Sequence, residues 1–347
     1  MDFGIVGTGL IAEFHAKALS EIPGARLTAC FDIAAARSAA FAARFGCTAY
    51  SDLGNFLRHP GLDVVNVCTP SGLHLDAALP AAEAGKHLIV EKPLEISTER
   101  CARMIEACDR AGVTLSGIFP SRFHASSLAV KAAFEGSRFG RLTMGNAYVK
   151  WWREQSYYDL GGWKGKKALD GGGALINQSI HAIDLLRWFM GPIKEVCAFT
   201  GAAGHSGIDV EDNAIAAVRF ANGALGAIQG STAVWPGFLK RLEISGMEGS
   251  VVMEEENLPF WKFRAERPED DTIRSRFSNV AGAGSGASDP AAIGYHGHKL
   301  QFIDIIASIR KGSRSLVDGR EASRAVSIIE AIYASAGSGK PAKVSEL

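Results

Sequence analysis

A lysine set between a glutamate and a proline, Glu91-Lys92-Pro93, directly follows the apolar run His87-Leu88-Ile89-Val90. An ammonium delivered by a strand end into a partly dry cleft can polarise a carbonyl or hold an alkoxide while charge develops on oxygen. Pro93 fixes the local chain, and X–Pro bonds are where cis peptides occur. Glu91 either orients Lys92 or braces the turn. A second cluster spans 171–184. Gly171, Gly172 and Gly173 precede a helix on which Asn177 and His181, four positions apart, share one face. A neutral imidazole there can take the proton from a hydroxyl, and Asn177 can hydrogen-bond a neighbouring hydroxyl. On pattern alone, a satisfied buried histidine and a polar helix-face asparagine fit these positions at least as well. Asp184 reads as structural, bonded to backbone or to Arg187.

This chemistry needs a partner that accepts or donates a hydride, and the N-terminus supplies a site for one. Gly7-Thr8-Gly9-Leu10-Ile11-Ala12 follows the first strand and opens the first helix. The first glycine permits a tight turn, the second lets the backbone approach a pyrophosphate, and the small third residue lets helix and strand pack closely. Free N–H groups at the helix N-terminus face the phosphates. Asp32 ends the second strand about twenty positions beyond the loop, where an acidic residue accepts the adenosine ribose hydroxyls. Its charge repels a 2′-phosphate and favours NAD over NADP. Arg37, five residues on, either readmits NADP or is a solvated helix residue. Thr69-Pro70-Ser71-Gly72-Leu73-His74 leaves another strand at the same carboxyl edge, where ligands bind in such sheets. Thr69 and Pro70 also suit a plain turn. His74 either faces the cofactor or is a polar residue at a helix start.

The elements that must carry these residues change character near position 120. Before it, apolar strands at 3–6, 26–31, 64–68, 87–90 and 113–117 alternate with helices at 10–20, 34–45, 73–84 and 98–110. That alternation predicts a parallel sheet covered on both faces, an α/β domain over 1–120. Beyond it come a helix at 125–134, a strand at 142–151 and a helix at 174–189. Strands at 193–200, 210–220, 224–232, 240–245 and 250–254 follow with little helix between them. Asn222-Gly223 and Glu248-Gly249 mark hairpin turns. The reading is an α+β domain over 121–347 with a large, mostly antiparallel sheet. A Gly/Ala/Ser-rich stretch at 275–294 reads as a loop, and helices at 297–311 and 320–336 close the chain.

Composition narrows the function. A chain of 347 residues, 47% apolar and 21% charged, fits two globular domains. Lysine plus arginine equals aspartate plus glutamate, 37 each, so no basic field exists for nucleic acid. No apolar run approaches a membrane span. A strand beginning at Asp2 leaves no room for a signal peptide, and the six cysteines lack a C-x-x-C pair. They read as reduced core thiols of a cytoplasmic protein, with no metal site.

Together the dinucleotide loop, Asp32, Cys68 to His74, Glu91-Lys92-Pro93 and the 171–184 segment resemble the glucose–fructose oxidoreductase and inositol dehydrogenase (Gfo/Idh/MocA) family. Gln301-Phe302-Ile303-Asp304 and Asp318-Gly319-Arg320-Glu321-Ala322 extend the resemblance over nearly the whole chain. It implies a Rossmann domain and a second domain whose open sheet face makes a homodimer or homotetramer contact. It implies NAD(P)-dependent redox chemistry on sugars and cyclitols, with Lys92 as catalytic lysine and His181 as acid/base. Many members carry aspartate where this chain has Asn177; losing that charge alters the lysine pKa and the choice of substrate hydroxyl. The asparagine form, with Tyr158 to Trp163, looks more like members acting on monosaccharides, anhydrosugars or sugar derivatives than on inositol. Further substrate candidates are Arg122, Tyr158, Trp163 and His298. Each has a bland counterpart: an interdomain ion pair for Arg122, core packing for Tyr158 and Trp163, a helix cap for His298. The expected activity is NAD-dependent oxidation of a secondary hydroxyl of a sugar or polyol. A dinucleotide-binding sensor without turnover, and a glycoside-cleaving enzyme that oxidises C3 first, remain as alternatives.

Overall fold

The structure is a computed structural model that describes residues 1–160, 162–278 and 294–345. The first part alternates β1 (Asp2–Val6), α1 (Leu10–Ser20), β2 (Arg26–Phe31), α2 (Ala35–Phe45), β3 (Thr48–Tyr50), α3 (Leu53–Leu57) and β4 (Leu62–Val67). It continues through α4 (His74–Glu83), β5 (His87–Val90), α5 (Thr98–Ala111) and β6 (Leu115–Gly117). The six strands form one parallel sheet in the order β3-β2-β1-β4-β5-β6. Every residue of β1 is buried, as a strand covered on both faces requires. Short β3 and α3 were not expected; neither carries a run long enough to show a period.

The rest of the chain opens with α6 (Ala125–Glu135), β7 (Leu142–Lys150), α7 (Ser156–Asp159) and α8 (Lys167–Asp170). A π-helical segment at Ala174–Ser179 then runs into α9 (Ile180–Met190). Next come β8 (Ile193–Gly201), β9 (Asn213–Phe220), β10 (Leu225–Ser231), β11 (Arg241–Gly246), β12 (Gly249–Glu254), β13 (Asn257–Phe263) and α10 (Pro268–Arg276). The chain closes with α11 (His296–Lys311), α12 (Gly319–Ser338) and β14 (Ala342–Lys343). The second sheet has the order β13-β12-β11-β7-β10-β9-β8-β14 and is antiparallel except between β7 and β10. Strand β9 alternates strictly, with Ala214, Ala216, Val218 and Phe220 buried and Ile215, Ala217 and Arg219 exposed. One face is therefore packed and the other open. The expected loop at 275–294 begins inside α10, and its 279–293 portion lies outside the described residues.

The chain separates into two compact units, one of Met1–Pro120 with Tyr295–Val326 and one of Ser121–Gly294 with Ser327–Glu346. The division after position 120 coincides with the change in sequence pattern, but a single block over 121–347 does not describe the second unit. Helix α11 belongs to the first, because Phe302, Ile305 and Ile306 are buried in one cluster with Phe3, Ala18, Leu19, Val64 and Ile89. The six cysteines are free thiols. Cys197 departs from the expected core position: it lies on the outward face of β8 and is exposed.

Candidate active site

In the first unit the loops after β1, β4 and β5 leave three neighbouring strands at the same carboxyl edge, bringing Gly7, Thr69 and Lys92 to that edge. Gly7 has φ +87°, and a Cβ there would lie 2.8 Å from the Cys68 carbonyl oxygen, so the turn requires glycine. At Gly9 a Cβ would meet nothing within 4 Å, and no side chain caps the start of α1. Open space beside an uncapped helix N-terminus suits an approaching phosphate. Leu10 is exposed and Ile11 half-buried in the first turn. Thr69 Oγ1 is buried without a hydrogen-bond partner among the described residues, a polar atom placed for a ligand after β4. These features fit a dinucleotide.

Asp32 is 4% exposed. Its Oδ2 accepts from Thr8 N–H at 3.0 Å and Thr8 Oγ1 at 2.9 Å. Its Oδ1 accepts from Ala34 N–H at 2.9 Å and pairs with Arg37 at 2.8 Å. Burial works to raise its pKa, but the bonds from Ala34, Thr8 and Arg37 bring it below the usual carboxylate value. Arg37 is thus an ion-pair partner of Asp32 whose side chain stays largely exposed.

Lys92 is half-buried and joined to Pro93 by a cis peptide bond. Glu91, 5% exposed, accepts the Lys92 backbone N–H on Oε2 at 3.0 Å. Its Oε1 lies 2.8 Å from His15 Nε2 and 3.5 Å from His298 Nε2. Burial pushes the Glu91 pKa up, yet the contacts with His15 and His298 hold it well below the ordinary carboxylate value. His298 therefore neither caps its helix nor stands as an isolated cleft residue; it is buried against Glu91. His15 went unnoticed in the sequence because its role depends on a residue 76 positions away. His74 does not offer its ring to a cofactor. It is buried, with Nδ1 2.9 Å from the Pro93 carbonyl oxygen and Nε2 3.0 Å from that of Thr69. Pro70, between these anchors, is partly exposed.

In the second unit Asn177 lies in the π-helical segment and His181 in the first turn of α9, both half-buried. The helix is not α-helical throughout, as the face argument assumed; Ser179 Oγ donates to the Ala174 carbonyl five residues back at 2.8 Å. Asn177 Nδ2 donates to Asp170 Oδ1 at 2.9 Å. The carboxyl group that an aspartate at 177 would bring is thus supplied nearby by the buried Asp170, seven positions earlier. Asp170 carries no motif signal in the sequence because it lies before the glycine run. Arg122 is 1% exposed and braces α9, its guanidinium bidentate to Asp184 at 2.8 and 2.5 Å and set over the Trp188 ring. It forms a buried ion pair within this unit, with Asp184 as its partner. Tyr158 is also internal: its hydroxyl meets Thr232 Oγ1 at 2.9 Å. Tyr157 approaches the π segment instead, taking a bond from Gln178 Nε2 at 3.3 Å. Trp163 is half-buried, and Gly161 beside it lies outside the described residues.

Residues 1–119 match the oxidoreductase family with an NAD-binding Rossmann fold, and residues 127–252 match the GFO/IDH/MocA C-terminal domain. The chain is 29% identical to a levoglucosan dehydrogenase of Pseudarthrobacter phenanthrenivorans, over 92% of each protein. It is 30% identical to a myo-inositol 2-dehydrogenase of Thermotoga maritima, over 72% of this chain and 74% of that one. The WlbA dehydrogenase of Bordetella pertussis, solved in complex with NADH and UDP-GlcNAcA, matches with a TM-score of 0.91 at 34% identity, over 99% of this chain and 98% of that one. With both halves matched and a dinucleotide loop built as the fold requires, the chain belongs to the GFO/IDH/MocA family of NAD-dependent oxidoreductases.

Proposed function

We propose that this NAD-dependent sugar dehydrogenase oxidises a secondary hydroxyl with Lys92 and His181 as its catalytic pair. Bound NAD accepts the hydride from the carbinol carbon. The Lys92 ammonium stabilises the alkoxide that forms as the hydroxyl proton departs. The neutral His181 imidazole takes that proton, and Asn177, held by Asp170, hydrogen-bonds a neighbouring substrate hydroxyl. The observation that carries this reading is the loop after β5: Lys92 follows a strand beside β4, whose exit loop carries Thr69, and its own N–H is fixed by a buried carboxylate. The substrate class tested first is a nucleotide-activated sugar acid. Likeness to the relative bound to UDP-GlcNAcA extends over 99% of the chain. Anhydrosugars come second, from the likeness to levoglucosan dehydrogenase.

A panel of nucleotide sugars, anhydrosugars, free sugars and polyols, followed by NADH absorbance, decides among substrates. A keto sugar with stoichiometric NADH is expected; a cleaved glycoside without net NADH means glycosidase chemistry instead. Lys92→Ala is expected to lower kcat by about 10²–10³-fold while NAD affinity holds. Wild-type turnover by that variant removes the catalytic assignment.

Self-association through the open face of the second sheet is part of the same proposal. Phe199 pairs across strands with Ile215 and Met144 with Leu225, and all four are exposed. Apolar cross-strand pairs on a broad open face favour a partner surface. Light scattering of the wild type and of Phe199→Glu tests it, with a smaller species expected for the variant. A cytoplasmic location belongs to the same reading and is supported by the six free thiols.

A further inference from the structure

We infer that His15 and His298 are positioning residues for Lys92, acting through Glu91. This rests on the reading of Lys92 as the reacting lysine and adds how its backbone is held. Glu91 is the only residue between β5 and Lys92, and its two oxygens do different work. Oε2 takes the Lys92 backbone N–H at 3.0 Å, and Oε1 faces the two imidazoles at 2.8 and 3.5 Å. A carboxylate so bound cannot rotate without giving up a bond on one side.

The His15 tautomer is fixed from behind. Asn66 Nδ2 lies 3.1 Å from His15 Nδ1. An amide N–H directed at Nδ1 leaves the ring proton on Nε2, where it donates to Glu91. The rings are walled by aromatics: His15 lies 5.0 Å from Phe302 and 5.6 Å from His298, and His298 lies 6.3 Å from Phe14. In such dry surroundings a charge-assisted bond is strong and its loss is costly. On the other side, His74 meets the Pro93 carbonyl at 2.9 Å. The Lys92–Pro93 unit is thus flanked by Glu91 on one side and the buried His74 ring on the other. His15 lies on α1, the helix whose first turn follows the dinucleotide loop, and His298 lies on α11. The same three groups that steady the lysine thus tie its loop to the cofactor helix.

The atoms of His15, Glu91 and His298 lie within 4.8 Å of one another, close enough to be considered for a divalent cation. The Nε2–H of a neutral His15 already accounts for its contact with Glu91, so a positioning role is the simpler assignment.

The test uses the full chain with NAD and the substrate found by the panel. Glu91→Gln and His298→Leu are expected to lower kcat by about 10- to 100-fold, as small misplacements of a reacting group do. KM for NAD and NADH fluorescence titrations stay within about twofold. His298→Gln, which keeps an N–H donor in reach of Glu91, is expected to restore most of the turnover. A readout without substrate runs alongside: the pH dependence of Lys92 acetylation by acetic anhydride, followed by peptide mass with NAD bound. Loss of the Glu91 charge is expected to move that curve to lower pH in Glu91→Gln, and His298→Gln is expected to match wild type. Thermal melts identify any variant that fails to fold; Glu91→Gln and His298→Gln then decide. Wild-type kcat and an unmoved acetylation curve in Glu91→Gln overturn the inference. So does one bound divalent metal per purified chain whose chelation abolishes turnover. If Lys92→Ala itself keeps wild-type activity, the parent reading has failed, a result distinct from inactive Lys92→Ala beside a fully active Glu91→Gln.

Discussion

Under the proposed cofactor reading Asp32 selects the dinucleotide by charge, and its surroundings favour the charged form. Burial alone would raise its pKa, but bonds from Ala34, Thr8 and Arg37 outweigh it. A 2′-phosphate brought against this anion meets like-charge repulsion worth several kcal/mol. Asp32→Ala removes the repulsion and frees the Arg37 guanidinium, now 2.8 Å from Asp32 Oδ1, for a phosphate. The expected outcome is a rise of about tenfold or more in the NADP-to-NAD ratio of kcat/KM. Overall NAD affinity falls as well, because Thr8 loses its partner. Steady-state kinetics with both cofactors measures this, and an unchanged ratio refutes it. The loop and the acidic residue were legible in the sequence because both follow from local strand–turn–helix grammar. The roles of Arg37 and His74 were not, since either side chain suits solvent or a ligand until its partner is known.

The element that carries Asn177 and His181 depends on a carboxylate far away in sequence. Glu211 Oε2 accepts Gly173 N–H and Oε1 accepts Leu175 N–H, each at 2.9 Å, and Tyr333 Oη donates to Oε1 at 3.0 Å. Two of the three glycines before the helix, Gly172 and Gly173, permit this approach. A Cβ on Gly173 would lie 1.7 Å from the Glu211 carbonyl oxygen, and one on Gly172 would lie 2.1 Å from Tyr333 Oη. Gly173→Ala must therefore displace backbone, at about 1–3 kcal/mol or more, and lower the urea midpoint without changing a catalytic group. Glu211→Ala leaves two buried N–H groups without their acceptor, at about 1–3 kcal/mol each. Circular dichroism during urea unfolding checks both, and wild-type midpoints would discard the clamp. Sequence periodicity found this helix and its glycines. It could not distinguish a π-helical first turn from an α-helical one, because over six residues the two periods place apolar side chains alike. The clamp was equally hidden, since Gly173 and Glu211 are 38 positions apart.

For the molecule as a whole, the pattern change at 120 was visible because strand–helix alternation is a repeating local signal. The return of α11 to the first unit was not, because its amphipathic face names no partner; only the packing of Phe302, Ile305 and Ile306 against Phe3 and Val64 does. That return seals His15 and His298 in the interior, and it gives folding a pH dependence of definite sign. Burial lowers the pKa of His15 from 6.5 despite its bond to Glu91, and lowers that of His74 despite the charge of Glu95 and its carbonyl contacts. His87, partly exposed, is lowered as well. In the unfolded chain these rings protonate near 6.5, whereas in the folded chain they stay neutral to lower pH. The unfolded state then binds more protons, so stability is full above 6.5 and is lost as pH falls through and below it. Glu91, depressed in the folded state, adds a further loss only in stronger acid. Glu211 runs the other way, since burial raises its pKa and its contribution declines as pH rises through the carboxylate range. Between pH ~7.5 and ~5.5 the histidines dominate, and each buried ring that stays neutral contributes up to about 1.4 kcal/mol per pH unit below its unfolded value. Urea midpoints are therefore expected to fall steadily over this interval, and His15→Asn is expected to flatten the fall by close to one proton. A midpoint independent of pH across the interval, or a variant as steep as wild type, would mean that the imidazoles are charged in the folded protein and that burial does not set their state.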